Sequence, residues 1–345
     1  MKPHLQFKVL TLTASLIACL SMSTGAQANA YAVATNNVIN GAGFVGVDSD
    51  GDGIPDSLGP ITVGSPSATS SSSATLGAIG SPATGGSGSD STSTPDAPAS
   101  NGTGSAPART NEDTFVSGGG NTYYNLFGEL ATSYSSGDAI VVSEQVSLGT
   151  FIEARNMAET NISGSGHGDA DGRNISTTTI TLQIILGEEC DVSVDCAMSF
   201  SFEADPYMKA LLDATAPLGS IARATLAFNI DLKKSGDLAS TFIWAPDGSV
   251  GTGIVGGTEL ADAESLNGTE ATQTAGATEE FSATYGSDGF GSYFAYTDYL
   301  SSGEYTLSLS MIEKTDATRQ VPEPATLALL GMSLMGFGFA RRKQS

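Results

Sequence analysis

Histidine and cysteine are scarce in this chain of 345 residues, which contains two histidines and three cysteines. Beyond residue 30 the one remaining histidine is His167, so a zinc site with several histidine ligands is excluded. A Ser-His-Asp triad would depend on this single imidazole, which lies in a glycine-rich segment. We expect that segment to be an exposed loop, and a metal contact shared with Asp169 and Asp171 is the alternative.

Positive charge is scarce as well, with 14 Lys and Arg against 37 Asp and Glu and a formal net charge of −23 at pH 7. A nucleic-acid-binding protein needs a basic face to neutralise phosphates, so we expect no nucleic-acid partner. The sequence has no Gly-x-x-x-x-Gly-Lys segment, which excludes a phosphate-binding P-loop. The acidic excess favours solubility and attracts divalent cations or basic partners.

The first thirty residues have the pattern of a secretory signal peptide. Lys2 and Lys8 precede an apolar stretch over 9–20, and Ala28-Asn29-Ala30 supplies a small-x-small cleavage site. We therefore expect residues 1–30 to be removed by signal peptidase. Leu-Ile-Ala-Cys19 also fits a lipobox, which would instead place a lipid on Cys19.

The last twenty-five residues, 321–345, contain three parts in order: a tripeptide, an apolar run over 325–340 and a basic cluster. The tripeptide is Pro322-Glu323-Pro324, and the cluster is Arg341-Arg342-Lys343. As a helix the apolar run would reach about 24 Å, and the cations after it would stay on the cytoplasmic side. The sequence therefore predicts a short transmembrane helix.

This tail resembles the PEP-CTERM sorting signal of Gram-negative bacteria. The resemblance implies a protein that is exported, held transiently in the inner membrane, processed by an exosortase, and moved to the outer surface or extracellular matrix. An ordinary C-terminal anchor is the alternative, since hydrophobicity and flanking charge would act in the same way in both cases.

Carboxylates alternate along the segment that begins at Asp48. Asp48, Asp50 and Asp52 would be the first, third and fifth ligands of a Ca²⁺ ion, the Ile54 carbonyl the seventh, and Asp56 the ninth. A complete EF-hand is excluded because its twelfth position is Gly59 rather than a glutamate. The segment resembles one thrombospondin type 3 repeat, a family in which acidic loops wrap around calcium. An acidic turn without a metal is the alternative.

The stretch 61–112 consists mostly of Ser, Gly, Thr, Ala and Pro. Such a composition buries too little apolar surface to offset the entropy lost on ordering. We expect a disordered linker between an N-terminal segment, 31–60, and a folded domain, 113–318.

The folded domain shows four segments in which large apolar residues alternate with mostly polar ones. This period of two predicts antiparallel strands with one dry face each, and hence an all-β fold of β-sandwich or jelly-roll type. The dry positions are Ile180, Leu182, Ile184, Leu186; Cys196, Met198, Phe200, Phe202; Leu226, Phe228, Ile230, Leu232; and Tyr305, Leu307, Leu309, Met311. We expect one helix, over 206–214, because Pro206 can begin it and Met208, Leu211 and Leu212 would share a side.

Cys190 and Cys196 are the cysteines that remain beyond residue 30. In an oxidising compartment two cysteines this close should form a disulfide that closes a small loop. Four acids crowd the same loop: Glu188, Glu189, Asp191 and Asp195. We expect a solvated turn there, with a weak second cation site as the alternative.

The sequence thus predicts a non-enzymatic surface or matrix protein that binds Ca²⁺ and contacts extracellular polysaccharide or other cell-surface components. A carbohydrate-binding module is one alternative, with an aromatic platform built from Trp244, Tyr293, Phe294, Tyr296 and Tyr299. A secreted glycosidase-like hydrolase is another, because paired carboxylates can cleave glycosides.

Overall fold

The computed structural model describes the chain from residue 29 to residue 320, with gaps. The described ranges are 29–52, 54–55, 61–63, 67–78, 84–90, 99–102, 133–146, 149–163, 170–187, 190, 195–282 and 289–320. In 61–102, 140–152 and 170–184 the description is confined to the backbone. Residues 1–28 of the predicted signal peptide, the predicted transmembrane helix and His167 lie outside these ranges.

The regular elements of the described ranges are all strands. They are β1 (Ala30–Asp48), β2 (Ile61–Val63), β3 (Ser67–Ala78), β4 (Thr84–Asp90), β5 (Ala99–Gly102), β6 (Tyr134–Val146), β7 (Gly149–Ile162), β8 (Ala170–Leu186), β9 (Asp195–Leu212), β10 (Ile221–Lys234), β11 (Phe242–Trp244), β12 (Ile254–Val255), β13 (Gly257–Asp262), β14 (Gly268–Thr272), β15 (Thr278–Ser282), β16 (Gly291–Thr297) and β17 (Gly303–Arg319). In these ranges no helix is long and apolar enough to cross a membrane. The all-β prediction is confirmed.

The strands form two antiparallel sheets. Sheet A has the order β13-β16-β9-β1-β7-β6-β5, with β15 also paired to β9. Sheet B has the order β12-β11-β10-β17-β8-β3-β4, with β14 paired to β10 and β2 to β8. Both sheets therefore combine strands from distant parts of the chain, and long-range pairing determines the architecture.

The two sheets share a core made by the dry faces of their strands. Phe202 of β9 in sheet A lies with its ring centroid 5.1 Å from that of Phe228 and 5.4 Å from that of Trp244, both in sheet B. The predicted alternation in β9, β10 and β17 is confirmed, since every dry position named for these strands is buried. In β8, Leu186 is buried and its neighbour Ile185 is 49 % exposed.

β1 is a central strand of sheet A, paired with β7 on one side and β9 on the other. Its register shifts between Val38 and Ala42, where Asn40 has φ 52°. Asparagine tolerates this left-handed conformation better than most residues, and the extra residues of a bulge reverse which side chains face the core. The segment expected to precede the folded domain is thus an integral part of it.

The predicted helix over 206–214 is wrong, because β9 continues as a strand to Leu212. Met208, Ala210 and Leu212 are buried while Tyr207, Lys209 and Leu211 are half-buried, so the period is two. Proline disrupts a central strand when its missing N–H is needed by a neighbour. Among the described residues, the β16 pairing ends at Ala204 and the β15 pairing begins at Tyr207, which leaves Pro206 between them.

The expectation of a disordered linker over 61–112 is also corrected, because β2, β3, β4 and β5 lie within this stretch. β3 pairs with β8 along its whole length, and β5 pairs with β6. The composition of this stretch did not predict its strands. A strand that joins an existing sheet is stabilised by backbone hydrogen bonds, and residues such as serine and threonine form these bonds although their side chains bury little apolar surface.

Candidate functional site

The aspartates of the predicted calcium loop meet at the end of β1. Asp48, the last residue of the strand, is buried, whereas Asp50 and Asp52 are exposed. One carboxylate oxygen from each lies within 4.8 Å of the others. Gly51 between them has φ 82°, a conformation that glycine adopts without strain.

Backbone N–H groups hold each of these carboxylates in place. Gly51 N–H donates to Asp48 Oδ1 over 2.7 Å, Asp52 N–H to Asp50 Oδ1 over 3.2 Å, and Ile54 N–H to Asp52 Oδ1 over 2.7 Å. Each carboxylate has two oxygens with two lone pairs each, so these bonds leave acceptor capacity for a cation. A set of hard oxygen donors fits Ca²⁺. Asp56, the predicted ninth-position ligand, lies outside the described residues.

Two side chains that the sequence did not associate with this loop lie beside it. Asp195 is the register partner of Asp48 in the β1–β9 pair. The Tyr299 hydroxyl donates a hydrogen bond to Asp48 Oδ2 over 2.9 Å. This bond, together with desolvation and the negative charges of Asp48, Asp195 and Asp52, raises the pKa of Tyr299. The pKa of this phenol therefore reports on the acidic loop around it.

The structure joins Cys190 and Cys196 in a disulfide whose Cα atoms are 5.4 Å apart. Both cysteines belong to the buried core. The carbonyl of Cys196 accepts a hydrogen bond from Leu300 N–H over 2.7 Å. Because Asp195 directly precedes Cys196, this anchoring holds the start of β9 against the loop that carries Tyr299. The two acidic segments that the sequence treated separately are thus neighbours.

The predicted aromatic platform is wrong for two of its five members. Trp244 is 0 % exposed and Tyr293 is 1 % exposed, and both belong to the core between the sheets. Trp244 donates its indole N–H to Glu259. Phe294 and Tyr296 alternate with Tyr293 along β16, so they lie on the opposite, outward face and are half-buried. The sequence could have suggested this, because consecutive residues of a strand cannot share a face.

A second acidic group was not found from the sequence at all. Asp262 Oδ2 accepts N–H bonds from Asp247, Gly248 and Ser249 over 2.8–3.1 Å, and Glu259 Oε2 accepts one from Gly251 over 2.7 Å. Burial raises the pKa of both carboxyl groups, and these hydrogen bonds lower it in part.

The turn over 247–253 also depends on glycine. A Cβ on Gly253, which has φ 69°, would lie 2.2 Å from the Ala245 carbonyl oxygen. One oxygen of each carboxylate is held by the backbone of this turn, while Glu259 Oε1 accepts the Trp244 indole N–H and Asp262 Oδ1 has no hydrogen-bond partner among the described residues. We therefore interpret Glu259 and Asp262 as structural braces of the turn.

Comparison with known families finds a match at the C-terminal end of the chain. Residues 320–343 match the PEP-CTERM protein-sorting motif. The matched range contains Pro322, Glu323 and Pro324 together with the three cations Arg341, Arg342 and Lys343. Neither the search of curated proteins nor the search of solved structures found a match.

Proposed function

We propose that this chain is a non-enzymatic surface or matrix protein of a Gram-negative bacterium, with a Ca²⁺-binding loop and a β-sandwich body that contacts extracellular polysaccharide. The observation that carries the proposal is the sorting motif at 320–343, which implies export and processing by an exosortase. The two facing sheets support the sandwich arrangement, and the carboxylate cluster at Asp48 supports the cation loop.

The sorting step is tested by the mass and location of the protein in its host. We expect the wild-type chain to lose its apolar tail and reach the surface, and to keep the tail and stay in the membrane fraction when the exosortase gene is deleted. Replacing Pro322, Glu323 and Pro324 together by alanine should have the effect of the deletion. A Gln344→Ala variant is the control, since it alters the same tail beyond the matched motif. Unchanged mass and location in the deletion strain would reject the proposal.

The calcium loop is tested by titrating Ca²⁺ into the exported protein in a calorimeter. We expect a dissociation constant of about 10⁻⁴–10⁻³ M, the range of extracellular calcium modules. The double variant Asp50→Asn/Asp52→Asn should bind much more weakly, because it removes two of the hard anionic ligands. Asp237→Asn is the matched control, an exposed aspartate in the turn after β10.

Binding of Ca²⁺ should also change the pKa of Tyr299, because the bound cation would offset the negative charge of Asp48. The pKa of the phenol, followed by ultraviolet absorbance, should fall when Ca²⁺ is added. No heat up to millimolar Ca²⁺, or equal binding by the double variant, would show that the loop is an acidic turn.

A further inference from the structure

The outward face of sheet A carries a strip of aromatic and hydroxyl side chains across three adjacent strands. We define the aromatic strip as Phe44 on β1, Ser199 and Ser201 on β9, and Phe294 and Tyr296 on β16. Their neighbours along the strands, among them Met198, Phe200, Tyr293 and Ala295, are buried in the core. Alternation therefore directs the strip away from the core.

The strand registers determine the order of side chains across the strip. Ser199 is the partner of both Phe44 and Tyr296, and Ser201 is the partner of both Ala42 and Phe294. Opposed residues of neighbouring strands are about 5 Å apart, so the ring positions on β1 and β16 are about 10 Å apart with serines between them. The Phe44 ring on one side and the Phe294 and Tyr296 rings on the other border a shallow channel along β9, in which Ser199 is buried and Ser201 is half-buried.

The β1 bulge is what brings Phe44 to this face. Before the bulge the even-numbered residues Ala34 and Val38 face the core, whereas after it Val45 does. Without the shift of register between Val38 and Ala42, Phe44 would point inward. Phe44, Phe294 and Tyr296 all remain half-buried, so the ring faces are only partly covered by the rest of the chain.

Acidic groups lie at one end of the strip. Glu203 follows Ser201 on the same face of β9, and its Oε2 accepts a hydrogen bond from Asn40 Nδ2 over 2.7 Å. Asp205 comes next on that face and is half-buried. Asn37, the β1 partner of Asp205, is also the partner of Arg155 on β7, so one cation lies in the same cross-strand row, and Lys209 follows further along the same face of β9. The charged groups next to the strip itself are the carboxylates of Glu203 and Asp205, in a chain whose net charge is −23. An anionic chain would be repelled here and a cationic one attracted.

We propose that the aromatic strip binds a polysaccharide whose sugars carry free amino groups. The C–H faces of pyranose rings stack on aromatic rings, which Phe44, Phe294 and Tyr296 present. Sugar hydroxyls exchange hydrogen bonds with the half-buried Ser201, and a sugar ammonium group pairs with Glu203 at the end of the channel. Nucleic acid also stacks on aromatic rows, but its phosphates would be repelled by Glu203 beside the strip and by the net charge of −23.

This assignment rests on the proposed function, because such a glycan is met outside the cell. The probe is a chitosan hexamer, with the fully N-acetylated hexamer as its neutral counterpart, titrated into the exported protein by calorimetry. We expect the chitosan hexamer to bind and the N-acetylated one to bind about tenfold more weakly, since one charge-assisted contact is lost. The double variant Phe294→Ala/Tyr296→Ala should lower the affinity for both hexamers by on the order of tenfold or more.

The variants separate charge from stacking. Glu203→Gln should remove most of the preference for the chitosan hexamer and leave binding of the neutral hexamer unchanged. The matched controls lie outside the strip: Glu304→Gln for the charge, on an exposed position of sheet B, and Leu238→Ala for the apolar area, at a fully exposed position. Circular dichroism and thermal melting check that each variant is folded.

Three outcomes would overturn the assignment: no binding of either hexamer by the wild-type protein, equal affinity for the two hexamers, or binding that the double aromatic variant leaves unchanged. Cell fractionation of the same variants reports separately on export. A strip variant that reaches the surface but fails to bind supports the site, whereas a wild-type protein retained in the cytoplasm contradicts the proposed function instead.

Discussion

The interior between the two sheets has two halves of different chemistry. In the aromatic half, β9, β10 and β17 contribute large side chains: Phe200, Phe202, Phe228, Ile230, Leu232, Leu307, Leu309 and Met311. Further along the same three strands lies the alanine-rich half, which contains Ala210, Ala222, Ala224 and Ala317 together with Met208, Leu212 and Leu226. The strands continue without a break, so the change is one of side chains alone.

The alanine-rich half also buries polar groups. The Thr160 and Thr315 hydroxyls, on facing sheets, are 2.9 Å apart. At the border with the aromatic half, Asn156 donates to the Met311 carbonyl over 2.9 Å. Glu313 is 0 % exposed and, among the described residues, neither of its carboxyl oxygens has a hydrogen-bond partner. The comparison teaches that ring packing stabilises one half, whereas the other combines small side chains and hydrogen bonds between the sheets with one unpaired acid.

Among the variants considered, Phe202→Ala should cause the largest loss of stability. The ring stacks on Tyr293 at 4.8 Å between centroids and also contacts Phe228 and Trp244. Its removal should lower the free energy of unfolding by about 3–5 kcal/mol, because a cavity forms among rings that cannot collapse into it. Urea unfolding followed by tryptophan fluorescence measures this.

The control is Phe294→Ala in the same sheet, where the ring lies on the outward face. There the loss should stay within about 1 kcal/mol, since half-exposed rings leave no cavity. If both variants lowered the free energy of unfolding by the same amount, ring packing in the aromatic half would contribute no more to stability than a ring on the outward face.

The aromatic half could be predicted from sequence because it follows a simple rule. Strict alternation in β9, β10 and β17 identified the buried residues, since a strand with one dry face must repeat every two residues. The prediction failed after Pro206 because local helix signals were preferred over the alternation, which continues through Met208 and Leu212.

The candidate site needed information that local patterns do not contain. The spacing of Asp48, Asp50 and Asp52 is visible in the sequence, but Tyr299 approaches from 251 positions away. The outward position of Phe44 depends on a bulge at Asn40, which no periodicity signals before the pairing of β1 is known.

Glu313→Gln tests whether the alanine-rich half carries a buried neutral acid. Burial raises the pKa of Glu313 well above its ordinary value of 4.5. The Asn156 side-chain amide acts in the opposite direction and lowers it, but desolvation is the larger cause and decides the direction. The protonated form is therefore favoured by folding. The stability this contributes is fully present below the unfolded pKa and is lost as pH rises through the folded pKa.

We expect the wild-type free energy of unfolding to fall by up to about 1.4 kcal/mol per pH unit from pH 4.5 upward because of this group. For Glu313→Gln, the free energy of unfolding should not show this decrease with pH, and the variant should be more stable than the wild type at neutral pH. Glu304→Gln, an exposed position on the same strand, should leave the slope unchanged. Parallel pH profiles for the wild type and Glu313→Gln would mean that the carboxyl is stabilised as an ion.

Thr315→Val is the mildest probe, because it removes one hydroxyl and keeps the shape of the side chain. The Thr160 hydroxyl would lose its contact across the sheets but keep Ser135 Oγ, 3.1 Å away, as a partner. Since no buried group is left unpaired, the free energy of unfolding should fall by only about 0.5–1.5 kcal/mol. Urea unfolding of Thr160→Val, Thr315→Val and the double variant forms a thermodynamic cycle. If the two losses add without coupling, the hydroxyls do not bond each other, and the alanine-rich half is held by its small side chains alone.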